Sequence, residues 1–426
     1  MDVNLKYGRQ TMQGILPLAN VEELVPQAYE KEVGDISALL KHKLSHPTNG
    51  IGLDQILQPG EKVVVVVSDI TRTWTRTRDY LPTIVEYVEA CSIAPSDISI
   101  LIARGCHRSQ TEDEFKQIVG EEIFAKYEVV EHDADNPDGL VYVGTTTRNN
   151  PIYVNKRVVE ADRVILTGGI IHHAMAGFGG GRKSILPGVS GRKTVENNHL
   201  NCLHPTDIDI NPAIGSNRLQ GNPLHEDMTE AAAFVNPDFL VNVVLDTKNE
   251  IVDFFTGHWF EAWAEGCALV NEIYGVPIDE QADLTVASCG GFPYDISLYQ
   301  ASKTFYNAAQ ATKVGGTIIL LAQAEDGPGS PDFFGWYDNE TSEEFFTNLK
   351  AEFTIPGYLA YLIYVIAQER KVYVVTDCAA EQVAKMGVIP VANLQEAIDQ
   401  AFADLDGDAK VFVMPEGGYT FPMIKA

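Results

Sequence analysis

The chain has 426 residues, of which 45% are hydrophobic and 21% are charged, so it is long enough for two or three domains with a sizeable core. A formal net charge of -28 argues against nucleic acid as a partner, because phosphate binding needs a basic surface. The six cysteines form no CxxC pair and no apolar stretch is long enough to cross a bilayer. We therefore expect no disulfide framework, no membrane partner and a cytoplasmic location.

Short β-rich apolar runs alternate with helical stretches along the chain. The predicted strands are Lys62–Asp69, Ile98–Gly105, Ala161–Gly169, Leu240–Asp246, Leu284–Cys289, Thr317–Ala322 and Val372–Asp377. The predicted helices are Tyr80–Ala90, Glu112–Tyr127, His258–Tyr274, Tyr299–Thr312, Tyr358–Arg370 and Asn393–Leu405. This alternation predicts an α/β fold made of two α/β domains with largely parallel sheets.

A domain boundary is predicted just after the amphipathic helix that ends at Tyr274, because a fresh strand begins near Ala282. The predicted segments are an N-terminal cofactor-binding and catalytic domain over residues 1–262, a linker helix over 263–275, a C-terminal α/β domain over 276–412, and a tail over about 413–426 that packs back on the first domain. We expect the active-site cleft between the two domains.

The segment 168–188 is the richest in residues that suit chemistry. Its glycines allow a tight turn whose N–H groups face an anion, and the residues after them add positive charge and a hydroxyl. The members of this predicted phosphate cradle are Gly177, Gly179, Gly180, Gly181, Arg182, Lys183 and Ser184. The segment matches neither a Walker P-loop nor a Rossmann fingerprint, and a flexible surface loop is the alternative interpretation.

Histidines follow several predicted elements. His107 comes just after the strand that ends at Gly105, His172 and His173 follow the strand that ends at Gly169, and His199 lies further along. Imidazole is suited to proton transfer near neutral pH and to metal ligation. Each of these histidines alone would more often be structural. Their joint placement predicts two acid/base residues on opposite faces of a substrate, with a third as a metal ligand.

Two further groups are candidates for binding. A buried valine-rich strand delivers Asp69, Thr71 and Arg72 to a loop, where the arginine can hold a carboxylate and the aspartate can orient a histidine. A helix cap with a surface arginine is the alternative. In the second domain, Tyr299 and Lys303 share a helix face, and Gln300 with Lys303 can hold a carboxylate. An ordinary amphipathic helix is the alternative there.

Five motifs follow one another along the chain. They are Ser68-Asp-x-Thr-Arg72, Gly105-x-His-Arg108, His173-x-x-Ala-Gly-Phe-x-Gly-Gly-Arg-Lys-Ser-x-Leu-Pro-Gly188, Asn198-His199 and Tyr299-Gln-Ala-x-Lys303. In this order they resemble the nickel-dependent lactate racemase family, and the resemblance covers most of the chain. The third motif is long and specific.

The resemblance implies a racemase or epimerase that inverts C2 of a small, lactate-like 2-hydroxy acid by hydride transfer. The implied cofactor is a nickel-pincer nucleotide, a pyridinium-3-thioamide-5-thiocarboxylic acid mononucleotide, and cofactor-biosynthesis proteins are implied partners. The resemblance assigns covalent cofactor attachment to Lys183 and nickel ligation to His199. The glycine-rich loop and Thr71 would contact the cofactor. The implied acid/base pair is His107 and His173, with Asp69 beside them.

The resemblance implies that Arg72, Gln300 and Lys303 hold the substrate, and Tyr299 and Trp74 are further candidates for substrate binding. The chain departs from the family at Thr73 and Trp74, where proline is common, and at Arg104 and Cys106 beside the histidine loop. Trp74 can reshape the pocket, and Arg104 can receive a second carboxylate, as in malate. The alternatives are therefore a larger or dicarboxylic hydroxy acid as substrate, a nicotinamide-dependent 2-hydroxyacid dehydrogenase, and a non-enzymatic nucleotide-binding protein.

Overall fold

The structure is a computed structural model that describes residues 1–17, 20–27, 29, 33–405 and 407–425. The strands of these residues are β1 (Asp2–Tyr7), β2 (Gln10–Ile15), β3 (Val21–Glu23), β4 (Val63–Ser68), β5 (Ile98–Ala103), β6 (Glu128–Glu131), β7 (Leu140–Thr145), β8 (Pro151–Asn155), β9 (Arg163–Gly169), β10 (His172–His173), β11 (Gly177–Phe178), β12 (Phe239–Leu245), β13 (Ile251–Gly257), β14 (Gly275–Ile278), β15 (Ala282–Ser288), β16 (Thr312–Leu321), β17 (Lys371–Val375), β18 (Ile389–Val391), β19 (Val411–Met414) and β20 (Phe421–Ile424).

The α-helices of the described residues are α1 (Ile36–Ser45), α2 (Leu53–Ile56), α3 (Thr77–Ala90), α4 (Glu112–Val119), α5 (Glu121–Lys126), α6 (Lys156–Glu160), α7 (Arg192–His199), α8 (Pro223–Val235), α9 (Glu261–Tyr274), α10 (Leu298–Ala311), α11 (Pro331–Phe334), α12 (Ser342–Ala351), α13 (Ile355–Glu369), α14 (Ala380–Ala384) and α15 (Leu394–Phe402). Short 3-10 helices include Ile70–Thr75, Gly181–Ser184 and Leu200–Cys202. Within the described part of the chain, no helix is long and apolar enough to cross a bilayer.

The chain divides into two compact units. One comprises Met1–Ala28, Leu203–Ile210 and Tyr274–Ala426, and the other comprises Tyr29–Cys202 and Asn211–Ile273. We refer to the first as the C-terminal unit and to the second, which contains the residues predicted to be catalytic, as the catalytic unit. Each contains a six-stranded, mainly parallel sheet together with helices, which confirms the predicted α/β class.

The sheet of the catalytic unit has the strand order β13-β12-β9-β4-β5-β6, and only the β12–β13 pair is antiparallel. Five consecutive valines of β4 are buried, as expected for the centre of a parallel sheet that is covered on both faces. The carboxyl ends of β4, β5 and β9 meet at one edge. That edge therefore receives the loops that carry the predicted site residues.

One predicted helix is two helices in the structure. The sequence predicts a continuous helix over Glu112–Tyr127, whereas α4 and α5 are separated at Gly120, whose φ is 91°. Glycine adopts this left-handed backbone without the steric penalty of a side chain, so it ends α4 and opens α5.

The sheet of the C-terminal unit is parallel throughout, in the order β18-β17-β16-β15-β19-β3. Its edge strand β3 comes from the first residues of the chain, and buried side chains of the β1–β2 hairpin join the same core. The sequence prediction placed these residues in the domain 1–262. A strand partner almost 400 residues away leaves no local signal, so the sequence could not reveal this pairing.

The predicted tail also lies elsewhere than expected. β20 pairs in parallel with β14, and both belong to the C-terminal unit. The tail was expected to pack back on the N-terminal domain, and its last residue, 426, lies outside the described residues. The β14–β20 pairing instead attaches the tail to the unit whose sheet contains β19.

Candidate active site

An aspartate and a histidine form a hydrogen-bonded pair at the sheet edge of the catalytic unit. Nδ1–H of His107 donates to Oδ2 of Asp69 over 2.6 Å, and the Thr71 hydroxyl donates to Oδ1 of Asp69 over 2.7 Å. Burial acts to raise the pKa of Asp69, but the bonds from His107 and Thr71 and the nearby charges outweigh it, so the pKa is lowered. An ionised Asp69 fixes the tautomer of His107 and directs the Nε2 lone pair away from itself.

Arg72 lies beside this pair in the 3-10 helix Ile70–Thr75. Its Nη1 donates to the carbonyl and to the hydroxyl of Thr71, over 3.2 and 3.0 Å. The side chain is exposed, so its remaining donors can meet an anionic ligand. Trp74 packs against Gly169, where a Cβ would lie 2.8 Å from the indole ring.

The adjacent histidines of β10 make different contacts. Nε2 of His172 lies 2.7 Å from Oδ1 of Asn271 on α9, and burial lowers its pKa to about 4. Nδ1 of His173 accepts from the backbone N–H groups of Met175 and Ala176, both over 3.2 Å. The neutral ring of His173 therefore carries its proton on Nε2.

The surroundings of His173 support its choice over His172. Burial and the positive charges of Lys183 and Arg72 lower the pKa of His173 well below its usual value. Lys183 and Arg72, which carry these charges, are themselves predicted site residues, whereas His172 contacts Asn271 of α9. The structure thus places His173 beside the predicted site and gives His172 a structural partner.

Arg182 holds the glycine-rich loop together. Its guanidinium donates to the carbonyls of Ala176, Phe178 and Gly180. Its Nε donates to Nδ1 of His225 over 3.1 Å, and the group stacks 4.0 Å from the ring centre of Trp263. The side chain is fully buried, and no carboxylate of the described residues bonds to it. Arg182 was predicted to contact the cofactor, whereas each of its three nitrogens is occupied by protein.

Two glycines of the loop have no room for a side chain. A Cβ on Gly180 would lie 2.5 Å from Oδ1 of Asn242, and one on Gly181 would lie 2.7 Å from the Trp263 ring. Oδ1 of Asn242 accepts from the N–H of Gly181, and the Trp263 indole donates to the Gly179 carbonyl over 2.7 Å. The backbone is therefore held on both sides, which excludes the alternative of a flexible surface loop.

Lys183 follows Arg182 and is half-buried. Burial and the charges of Arg72 and Arg182 lower its pKa well below 10.5, which favours the neutral, nucleophilic amine. Ser184 donates from its hydroxyl to the Thr167 carbonyl over 3.0 Å. The neighbouring arginines supply the positive potential that a nucleotide phosphate requires.

His199 ends α7 and is buried. Its Nδ1–H donates to the Val195 carbonyl over 2.8 Å, which places the ring lone pair on Nε2, as a metal ligand requires. The preceding residue, Asn198, donates to Oδ2 of Asp227 over 2.8 Å, and its own Oδ1 is buried without a hydrogen-bond partner. Asp227 is fully buried and also accepts from Thr146 and Asn150, so it anchors α7.

The described residues contain no cluster of three or more His, Cys, Asp or Glu side chains that could bind a metal unaided. The donor chemistry does fit an organic nickel cofactor. Lys183 offers an amine for a covalent link, His199 offers one imidazole lone pair, and the loop offers positive charge beside a fixed backbone.

The prediction for Arg104 is not supported by its contacts. The side chain is only 8% exposed. It donates to the His107 carbonyl and to Asp133, and lies 3.6 Å from a carboxylate oxygen of Glu131. Two carboxylates of the protein therefore already surround Arg104, which leaves it unsuited to a second carboxylate of a substrate.

The remaining candidates lie in the C-terminal unit, in the first turns of α10. The Ser297 hydroxyl caps this helix by accepting from the N–H of Gln300. Gln300 and Lys303 are exposed, and Tyr299 packs edge-on against Phe333 with ring centres 5.4 Å apart. The shared helix face predicted for these residues is thus present.

Two family models match the chain: the lactate racemase N-terminal domain over residues 7–209 and the lactate racemase C-terminal domain over residues 278–420. A lactate racemase of Thermoanaerobacterium thermosaccharolyticum is 31% identical over 425 residues, which cover 98% of each chain. A lactate racemase of Lactiplantibacillus plantarum is also 31% identical, over 97% of this chain and 98% of its own.

The chain belongs to the lactate racemase family. The solved apoprotein of the Thermoanaerobacterium thermosaccharolyticum lactate racemase superposes with a TM-score of 0.88 at 31% identity, covering 99% of this chain and all of that one. A Thermotoga maritima protein shares the fold, with a TM-score of 0.64 at 19% identity over 93% of this chain and all of its own. The predicted family and enzyme class, an isomerase of the racemase type, are confirmed, and the dehydrogenase and non-enzymatic alternatives are set aside.

Several supporting residues of this lactate racemase family member were missed by sequence reasoning. Asn242, Trp263, His225 and Asp227 hold the glycine-rich loop or α7. The one available signal was Asn242, a polar residue inside the apolar strand β12. A polar side chain at such a position needs a specific partner, which here is the Gly181 N–H.

Proposed function

We propose that this chain inverts the C2 centre of a small 2-hydroxy acid of the lactate type, with a nickel-pincer nucleotide linked to Lys183 and ligated by His199. The observation that carries the proposal is the Asp69–His107 pair, formed in the same compact unit as Lys183 and His199. The curated relatives are lactate racemases, and this supports the same substrate class.

The chemistry explains why such a cofactor is needed. Removing the C2 proton beside a carboxylate would place two negative charges on one small ion. When bound, the nickel-pincer nucleotide supplies an acceptor that takes the C2 hydrogen as hydride and returns it. The resulting planar 2-keto acid can be reduced on either face, which inverts the centre.

The chain's own residues manage the hydroxyl proton. Nε2 of His107 is the acceptor, because Nδ1–H is bound to Asp69. Nε2–H of His173 is a donor, because its Nδ1 accepts from two backbone N–H groups. His107 therefore removes the hydroxyl proton and returns it to the product oxygen, while Nε2–H of the neutral His173 donates a hydrogen bond to the substrate oxygen. For the opposite enantiomer, His173 serves as the base from its other tautomer, with the ring proton on Nδ1.

We assign Arg72 to binding the negatively charged substrate. Its exposed guanidinium can hold the carboxylate or stabilise charge that develops on the hydroxyl oxygen. We assign Tyr299, Gln300 and Lys303 to the substrate from their motif on α10, and Trp74 to the wall of the pocket. Arg182 is assigned to loop support rather than to direct cofactor contact.

The test is a C2 inversion assay with cofactor-loaded protein and a panel of 2-hydroxy acids that includes lactate and malate, in deuterated water. Inversion with little deuterium at C2 is expected, since hydride does not exchange with solvent. Full deuterium incorporation would instead indicate a carbanion route. A Lys183→Ala variant is expected to lose the covalent adduct in an intact mass measurement. No turnover by protein that carries nickel and the adduct would contradict the proposed function.

A further inference from the structure

A cavity of about 260 Å³ lies in the catalytic unit beside Asp69 and Arg72. Its other lining residues include Thr73, Arg78 and Gln117. A water molecule occupies about 30 Å³ in the liquid, so the cavity has room for a ligand of several atoms rather than for a single ion. The cavity therefore shares Asp69 and Arg72 with the proposed substrate site.

Arg78 is the distinctive residue of this cavity. Among the arginines, it alone makes neither a hydrogen bond nor an ion pair with any residue of the described part of the chain. Its neighbour Arg76, by contrast, bonds to Asp79 and Glu250, each over 2.7 Å. The side chain of Arg78 is exposed at the start of α3.

The overall charge makes an unpaired arginine informative. The chain has 59 acidic and 31 basic residues, so carboxylates outnumber cations almost two to one. The carboxylate that lines the cavity, Asp69, is already bonded to His107 and Thr71. Two exposed guanidinium groups, of Arg72 and Arg78, therefore line one small cavity, and no carboxylate of the described residues forms an ion pair with either.

We infer that Arg78 forms a second anion subsite, and that the preferred substrate is a 2-hydroxy acid with a second carboxylate. Arg72 serves the reacting end of the substrate and Arg78 the far carboxylate, for which a planar guanidinium offers a bidentate partner. The amide of Gln117 is a further donor in the same cavity. Arg104 cannot fill this role, since Glu131 and Asp133 already surround it. The inference rests on the proposed function for its reaction, but not for the subsite.

The experiment compares cofactor-loaded wild type with Arg78→Gln and with the matched control Arg76→Gln. The measured quantity is kcat/KM for C2 inversion of malate and of lactate. We expect wild type to prefer malate, and the malate-to-lactate ratio to fall about tenfold to a hundredfold in Arg78→Gln, as for the loss of a charge-assisted hydrogen bond. The ratio is expected to stay unchanged in Arg76→Gln, whose arginine is ion-paired and outside the cavity lining.

A binding measurement separates the subsite from the reaction. Succinate, a diacid without the C2 hydroxyl, is titrated into the same three proteins by calorimetry. Weaker succinate binding in Arg78→Gln alone is expected. Equal binding in all three proteins, or inversion of lactate with a malate-to-lactate ratio that does not depend on Arg78, would overturn the inference and leave the proposed function standing. Absence of any inversion, with succinate binding still dependent on Arg78, would defeat the proposed function and retain the anion subsite.

Discussion

The Oδ2 atom of Asp69 lies 2.6 Å from Nδ1 of His107. An Asp69→Asn variant can donate to Nδ1 through its amide and so favours the tautomer with the proton on Nε2, which removes the base. We expect kcat to fall by roughly 10²- to 10⁴-fold, as when the aspartate of a catalytic triad is replaced by asparagine. Steady-state kinetics at pH 7 would measure this, with little change in melting temperature.

Thr71→Val is the matched control for that variant. It removes the second bond to Asp69 and the hydroxyl that accepts from Arg72, but it keeps the carboxylate that orients His107. A much smaller loss of kcat is expected. An equal loss in both variants would show that the local hydrogen-bond network matters, rather than the tautomer of His107.

Trp263 is predicted to set the stability of the glycine-rich loop. Trp263→Phe removes the indole N–H that donates to the Gly179 carbonyl and leaves that carbonyl unsatisfied, so the free energy of unfolding should fall by about 1–3 kcal/mol. The fraction of protein that carries the covalent adduct at Lys183 should fall with it. Urea unfolding and intact mass would measure the two effects.

Trp259→Phe tests whether the effect is specific to the loop. Trp259 is also buried, but its indole donates to Asn236 over 3.3 Å rather than to a carbonyl of the loop. Adduct formation should be unchanged in this variant. A comparable loss of adduct would mean that general destabilisation explains the Trp263 result.

Asp227 is predicted to affect nickel binding because it anchors α7, the helix that ends at His199. Asp227→Asn leaves one acceptor oxygen for three donors, from Thr146, Asn150 and Asn198, and a buried unsatisfied donor costs about 1–3 kcal/mol. We expect a lower melting temperature and less nickel per protein by elemental analysis. Asp135→Asn, which breaks an exposed ion pair with Arg192 of the same helix, should change neither quantity appreciably.

The buried ring of His132 should make the stability of the protein depend on pH. Its ring is fully buried between the Ser190 carbonyl and the Asn155 amide, and burial lowers its pKa to about 4 from 6.5. Between pH 4 and 6.5, His132 therefore binds a proton in the unfolded chain but not in the folded chain. The contribution of His132 to the free energy of unfolding is therefore full above pH 6.5 and is lost as the pH falls toward 4.

From pH 7.5 to pH 5 this histidine should account for about 2 kcal/mol of lost stability. Urea unfolding at both pH values would measure it against His132→Gln, in which the loss should be smaller by that amount. An identical pH dependence in the two proteins would show that other groups, such as the half-buried His172 and the buried His225, dominate the acid response.

Local patterns predicted the scaffold of the catalytic unit well. The valine run of β4 and the strand before Gly169 were located within about two residues, because a buried parallel strand is a continuous apolar segment. The positions of Asp69 after β4 and of His172 and His173 after β9 followed from those strand ends. These features depend on neighbours in the sequence.

Features that depend on distant partners were not predicted. The sequence assigned Arg182 to the cofactor, and nothing near it in the chain indicates that His225 and Trp263 take up its guanidinium. Arg104 was assigned to a substrate carboxylate because Glu131 and Asp133, some 30 residues away, could not be placed beside it. The role of a charged side chain is decided by such long-range neighbours.

The pairing of β3 with β19 has a consequence for biosynthesis. Val21–Glu23 is made roughly 390 residues before its partner strand, which at about 5–20 residues per second is a wait of roughly 20–80 s on the ribosome. The catalytic unit can fold during that interval, whereas the sheet of the C-terminal unit stays incomplete until translation is almost finished. A chain shortened by its first 25 residues would leave β19 as a bare apolar edge, and such an edge invites self-association.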